Sequence, residues 1–263
     1  MAYEQIKTET RGHVGIITLS RPEKLNAWTD RMHAELVDQV EAWNADDDIG
    51  AILFTGEGRA FCAGADMGGF SDRLETVDDA PTGRVATSFS TPWTTLLRRS
   101  KPSVAAINGY AIGVGLTMVL PADIRIMAEE AQASIRFIKV GLVPELGSTR
   151  LLAQIVGLGN ATDMCLTGRM VGADEALRMG LTVSTTPADQ LLDVAIAKAD
   201  ELAGNPPSVM MFVKELLAKA PLDPDLDAVM EREQVRDRIA RRLPEHAEAV
   251  NAFLEKRAPE FYR

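Results

Sequence analysis

Hydrophobic residues change their spacing along the chain, and the changes predict its elements. Val14 to Ser20 (VGIITLS) is a run of β-branched and aliphatic residues closed by Arg21-Pro22, the pattern of a strand running into a loop. From Thr29 the spacing becomes helical, with Met32, Leu36, Val40 and Trp43 recurring every three or four residues among charges. This predicts an amphipathic helix with Thr29 or Asp30 as its N-cap. Ala51 to Thr55 (AILFT), Ser103 to Ile107 (SVAAI) and Ile124 to Met127 (IRIM) read as buried strands. Between the last two, a glycine-punctuated segment leads into a short apolar helix ending before Pro121.

Strands alternating with helices favour an α/β arrangement, a sheet covered by helices, over a bundle or a sandwich. From about Ser148 the strand signal nearly vanishes. Helical spacing takes over in Leu151 to Val156, Gly172 to Met179, Gln190 to Leu202, Pro207 to Lys219 and Leu226 to Arg242. Asn205-Pro206-Pro207 breaks the chain, so the expected division is an α/β core over 1–200 and a helical region over 201–263, with the boundary near 195–210.

The net charge of −10 repels nucleic-acid backbones and anionic lipid surfaces, so neither nucleic acid nor membrane is an expected partner. An anionic small ligand would need Lys or Arg groups set locally against that field. Cys62 and Cys165 are too few for a disulfide framework and lack zinc-site spacing. The opening MAYEQIKTET has neither basic nor apolar leader character, and no long uncharged apolar run occurs. A cytoplasmic, metal-free protein is the expectation.

Three glycine-rich segments hold the candidate chemistry: Gly56 to Asp66 (GEGRAFCAGAD), Asn108 to Gly115 (NGYAIGVG) and Gly141 to Gly147 (GLVPELG). Glycine lets another molecule approach the backbone, and amides at a helix start are unpaired donors. Two such segments together can offer two N–H groups to one developing oxyanion. Singly, each is more often just a turn. None fits a phosphate-binding GxxxxGK[ST] loop, and Gly113-Val114-Gly115 lacks the further glycine of a dinucleotide site.

Arg59-Ala60-Phe61-Cys62-Ala63-Gly64-Ala65-Asp66 resembles the first oxyanion-hole motif of the crotonase superfamily, the enoyl-CoA hydratase/isomerase family. The stretch from Lys101-Pro102 through Asn108-Gly109-Tyr110-Ala111-Ile112-Gly113-Val114-Gly115 to Ala122-Asp123-Ile124-Arg125-Ile126 resembles the second, and the likeness runs from about Val14 to the C-terminus. The resemblance implies a spiral of repeated ββα units with a C-terminal helical appendage, an acyl-CoA substrate of fatty-acid type metabolism, no cofactor beyond the coenzyme A of that substrate, and homo-trimers or hexamers. It places the oxyanion-hole amides on Ala65 and Val114. Coenzyme A or substrate contacts fall on Lys24 and Ala27 of the Arg21–Ala27 loop, on Ala63, Asp66 and Met67, and on Gly113, Thr117 and Phe137. Position 114 is usually glycine in relatives, so the branched Val114 narrows the space beside the thioester.

Hydratases of the family use two glutamates, and the matching positions here hold Thr117 and Phe137, neither of which exchanges a proton near neutral pH. Glu145 matches instead the single carboxylate of Δ3,Δ2-enoyl-CoA isomerases and related isomerases. Spacing alone favours a cap on the helix starting near Ser148; the resemblance favours catalysis. Isomerisation is therefore the leading expectation, with hydration (a lyase reaction) and non-catalytic acyl-CoA binding as alternatives. His13, His33 and His246 read as surface or packing residues, both cysteines as core filler, and Asp123 as a structural hydrogen bonder. Met67 to Phe70 and Ser134 to Phe137 are candidate acyl-pocket lining, the polar Ser71 to Ser88 a candidate flap, and Lys256 and Arg257 solvated charges.

Overall fold

Residues 3–66 and 92–262 are described by a computed structural model. Strands β1 (Ile6–Arg11) and β2 (Val14–Leu19) form an antiparallel hairpin turned by Gly12 at positive φ. The chain then crosses through α1 (Asp30–Ala45) to β3 (Ala51–Gly56), parallel to β2. Of the two N-cap candidates, Thr29 is the cap, its hydroxyl accepting from the Met32 amide at 3.0 Å, and Met32, Leu36, Val40 and Trp43 are buried as the spacing predicts.

From β3 onward each turn of the chain adds one strand to a large sheet and then a three-residue strand to a small one. β3 leads to β4 (Ala60–Cys62), β5 (Ser103–Ile107) to β6 (Tyr110–Ile112), and β7 (Ile124–Ala128) to β8 (Gln132–Ser134). The remaining elements are α2 (Trp93–Arg99), α3 (Val114–Thr117), α4 (Ser148–Thr167, interrupted at Gly157), β9 (Val171–Gly172), α5 (Ala173–Arg178), β10 (Ser184–Thr186), α6 (Leu191–Ala203), α7 (Pro207–Lys219), α8 (Leu226–Ala240) and α9 (Pro244–Glu255). The large sheet runs β1-β2-β3-β5-β7-β10 and the small one β4-β6-β8-β9, parallel except for β1/β2 and β8/β9. The two stacked sheets and their crossovers make the expected spiral.

The inner strands of the large sheet are buried on both faces, which is why β3 and β5 read as continuous apolar runs rather than alternations, whereas edge strand β1 is exposed beyond Ile6. Helix α6 packs on β2, β3, β5 and β7. The short strands of the small sheet, and β9 and β10 beyond Ser148, lie outside the sequence expectation. At two or three residues each, they are held by a register that larger strands impose, and carry no periodicity of their own.

Two buried cations tie later segments to this frame. The Arg125 guanidinium donates to the carbonyls of Ala122 (2.7 Å), Leu120 (3.3 Å), Val119 (3.4 Å) and Leu181 (2.8 Å), and burial lowers its pKa to about 10. Lys214 of α7 pairs with Asp123 at 2.7 Å and donates to the carbonyls of Ser100 and Lys101 at 2.8 and 3.1 Å. Asp123 also accepts from the amide and hydroxyl of Ser103, so it has the structural role expected of it.

Candidate active site

Strands β4 and β6 are parallel neighbours, with Cys62 opposite Ala111. Three residues beyond each paired position stand Ala65 and Val114, so equal chain lengths carry both amides off the same edge of the small sheet. Ala65 forms a parallel bridge with Trp28 in which the Gly64 carbonyl accepts and the Asp66 amide donates. The N–H of Ala65 itself therefore faces away from Trp28. Val114 is the first residue of α3, where an amide has no intrahelical acceptor. Among the described residues neither amide donates a hydrogen bond.

Gly113 makes the corner possible. Its φ of 55° with ψ of −120° is a conformation that L side chains avoid; its N–H donates to Ser134, and its carbonyl accepts from Leu116 and Thr117. Gly115 lets the two segments touch, since a Cβ there would stand 2.0 Å from the Cys62 carbonyl oxygen.

Both amides open onto a cavity of about 950 Å³ whose wall includes Ala63, Gly64, Ala65, Asp66, Ile112, Gly113, Val114, Phe137 and Glu145. Glu145 comes from the loop between the 3-10 turn Arg136–Val140 and α4, a loop shaped by left-handed Gly141, Leu146 and Gly147. The Thr94 hydroxyl of α2 pins it by donating to the Leu146 carbonyl at 2.7 Å. Glu145 is exposed as a residue, yet its carboxyl is partly desolvated on the cavity wall. That desolvation raises its pKa above the ordinary glutamate value. The helix-capping reading is corrected: Gly147 is the N-cap of α4 and no side chain caps it. Glu145 contributes only its backbone carbonyl, which accepts from the Ser148 amide at 3.0 Å.

The wall holds two more carboxyl groups, Asp30 and Asp66, and two cations, Arg136 and Lys139. Asp66 is bonded to Arg21 at 2.9 Å, which offsets its charge. Trp28 roofs part of the space, its ring 5.2 Å from His33 and 6.3 Å from Trp93. His33 is buried and its pKa is lowered by desolvation, so it packs as a neutral ring. Cys62 is fully buried and its thiol is pushed up to about 11, too high to serve as a nucleophile. Among the described residues no His, Cys, Asp and Glu cluster is placed to hold a metal ion, and no helix is long and apolar enough to cross a membrane.

Comparison with known proteins now bears on this arrangement. The profile of the enoyl-CoA hydratase/isomerase family matches residues 9–263. The chain is 35% identical to 1,2-epoxyphenylacetyl-CoA isomerase of Escherichia coli K12 over 98% of both chains. It is 36% identical to the probable enoyl-CoA hydratase echA8 of Mycobacterium bovis over 99% of both. A solved putative enoyl-CoA hydratase/carnithine racemase from Magnetospirillum magneticum superposes with a TM-score of 0.87 at 32% identity over the full length of both chains. The chain belongs to the enoyl-CoA hydratase/isomerase family. It is thus an acyl-CoA enzyme with the crotonase fold.

Of the residues expected from sequence, Ala63, Ala65, Asp66, Gly113, Val114, Phe137 and Glu145 converge on this crotonase cavity. Lys24 and Ala27 lie outside its wall, Lys24 exposed on the 3-10 turn Pro22–Lys24 and Ala27 accepting from Arg21 at 2.7 Å. Thr117 is fully buried, its hydroxyl turned back toward the Val114 carbonyl, and reaches no cavity surface. Met67, the Met67 to Phe70 lining and the Ser71 to Ser88 flap lie outside the described residues. Arg136 and Phe137 are in the wall, as expected of the Ser134 to Phe137 segment, whereas Trp28 and Lys139 were not expected there. The two cations are the local positive charge that an anionic ligand needs in so acidic a chain, and their place beside Phe137 was a signal available in the sequence.

Proposed function

We propose that the enzyme shifts the double bond of an enoyl-CoA thioester from C3 to C2, using Glu145 as base and then acid. The observation that carries this reading is that Glu145, its proton affinity raised by desolvation, shares one cavity wall with the two unused amides of Ala65 and Val114. The carboxylate takes the proton from C2 and the electron pair moves into the thioester carbonyl. The two N–H groups receive the resulting oxyanion, each such donor being worth about 3–4 kcal/mol in other enzymes. Glu145 then returns the proton to C4. A carboxyl group with elevated pKa suits both halves of the transfer.

Support comes also from what faces the cavity elsewhere. Phe137 presents an apolar ring, and Thr117 is buried away from the wall, so neither position that carries a hydratase glutamate in relatives supplies a carboxyl group here. The reaction as written needs no cofactor beyond the coenzyme A of the substrate.

A second reading, water addition organised by Glu145, is favoured by the 36% identity to a protein named probable enoyl-CoA hydratase. Incubation with a panel of 2-enoyl- and 3-enoyl-CoA esters separates the two by product mass. Isomerisation gives an isobaric product from the 3-enoyl ester, lost by about 10²–10⁴-fold in Glu145→Gln. A product heavier by one water, or turnover unchanged in Glu145→Gln, overturns the isomerase reading.

A further inference from the structure

Arg136 and Lys139 line the cavity but take no part in the proton transfer just described. They stand three residues apart on the 3-10 turn Arg136–Val140, where side chains at i and i+3 eclipse. The pair therefore projects from one edge of the turn, and Phe137 and Val140 project from the next; all four line the cavity. Ile138, on the third edge, is not part of the cavity wall, and the stems of both Ile138 and Lys139 come within 3.1 Å of the place a Cβ on Gly168 would occupy. One turn thus offers an apolar strip and a cationic strip to the same space.

Neither cation has a hydrogen bond or ion pair with another described residue. Other arginines nearby are engaged: Arg21 with Asp66, and Arg169 with Asp163 and Glu175. In a chain with net charge −10, two exposed like charges eclipsed on a cavity wall, neither paired directly with the Asp30, Asp66 or Glu145 carboxyl groups of that wall, form an arrangement that an anionic ligand would complete. Their position is tied to the reacting end of the cavity. The Phe137 ring comes within 3.9 Å of the place a Cβ on Gly113 would occupy, directly before Val114. The turn also runs straight into the loop of Glu145, the Leu142 amide donating back to the Phe137 carbonyl at 3.0 Å.

We propose that Arg136 and Lys139 bind an acidic group carried by the acyl chain, so that the substrates are acyl-CoA thioesters with a carboxylate distal to the thioester. The proposal rests on the cavity being the acyl-CoA site, and not on which reaction occurs there. Saturated esters, which cannot react by the proposed chemistry, therefore test it.

Calorimetric titration would compare matched pairs, from butyryl- and succinyl-CoA to octanoyl- and suberoyl-CoA, together with free coenzyme A. The proteins are the wild type, Arg136→Gln, Lys139→Gln and the double variant. The expected result is a preference of about tenfold for the carboxylated member of at least one pair. That preference falls in each single variant and vanishes in the double, while the plain ester and free coenzyme A change by less than about twofold. Equal binding of every pair to the wild type overturns the proposal alone, leaving the acyl-CoA site intact. So does a preference that survives in the double variant. Equal weakening of free coenzyme A and all esters also overturns it, by assigning the cations to the coenzyme's phosphates. If no ester binds the wild type, the reading of the cavity falls and takes the proposal with it.

Discussion

Gly115→Ala tests whether the Cys62–Ala65 and Ile112–Gly115 segments act as one device. The added Cβ would stand 2.0 Å from the Cys62 carbonyl oxygen and 2.8 Å from its carbon, both backbone atoms, so no side-chain rotation relieves the clash. To reach even a tight 3.0 Å contact, the segments must part by about 1 Å. Overpacking of this kind costs about 1–3 kcal/mol of stability. Its effect on turnover is greater, because a misplacement of about 1 Å at a reacting centre lowers rates about 10²-fold. The assay pairs kcat on the preferred enoyl-CoA with urea unfolding and with binding of a saturated acyl-CoA. A folded variant with kcat reduced about 10²-fold and acyl-CoA affinity within a few-fold is expected. Gly172→Ala is the control: nothing lies within 4 Å of a Cβ there and φ is −77°, so it should change neither quantity. Wild-type kcat in a folded Gly115→Ala would refute the argument that contact between these two segments sets the amide geometry.

Two further predictions concern stability. Lys214→Met removes a largely buried ammonium from Asp123 and from the carbonyls of Ser100 and Lys101. Asp123 keeps both Ser103 bonds, so the loss should be about 2–4 kcal/mol in urea unfolding; a loss under about 1 kcal/mol would show that α7 is held by other contacts. Glu145→Gln should be neutral in acid and stabilising at higher pH. Desolvation raises the folded-state pKa of Glu145 above 4.5, so the folded protein holds this proton more tightly than the unfolded chain. The resulting contribution is present below the unfolded value and is lost as pH rises through the folded one. Unfolding free energies of wild type and variant should coincide near pH 4.5 and below, then separate in favour of Gln; separation in the opposite sense would mean that the cavity stabilises the charge.

What could be read in the sequence is what periodicity and glycine encode. Helix α1 was legible to within one residue of its N-cap because Thr29 and Asp30 precede a run with a single apolar face, and β2, β3, β5 and β7 were legible because burial on both faces keeps them apolar, with Arg125 the charged exception in β7. The small sheet was not. Its strands β4, β6 and β8 are three residues long, the first two inside glycine-rich segments, and pairing with neighbours far along the chain makes them strands. The cavity shows the same division. Ala65, Val114 and Glu145 stand in segments marked by turn residues, and Arg136 and Lys139 flank Phe137 on one turn, whereas Trp28 enters the wall through tertiary placement. Lys24 shows the converse: a cation on a suitable loop whose 3-10 turn leaves it exposed outside that wall.

Building the anion-receiving part of a site from backbone amides decides what can change around it. The positions of the Ala65 and Val114 amides follow from the Cys62–Ala111 pairing, the left-handed corner at Gly113 and the close approach at Gly115. None of these depends on the side chains at positions 114, 117 or 137. A valine can therefore stand at 114 with its N–H still directed at the cavity, and a threonine at 117 can turn inward and be buried. In the proposed reaction the proton-transferring group is under a different constraint, since it must reach the acyl carbons from a loop stiff enough to hold it. Left-handed Leu146 and Gly147, with the Thr94 bond to Leu146, give the loop of Glu145 that stiffness. In the proposed isomerisation, stabilising the enolate thus falls to backbone amides held by the sheet, and moving its proton falls to a carboxyl group on a separate loop.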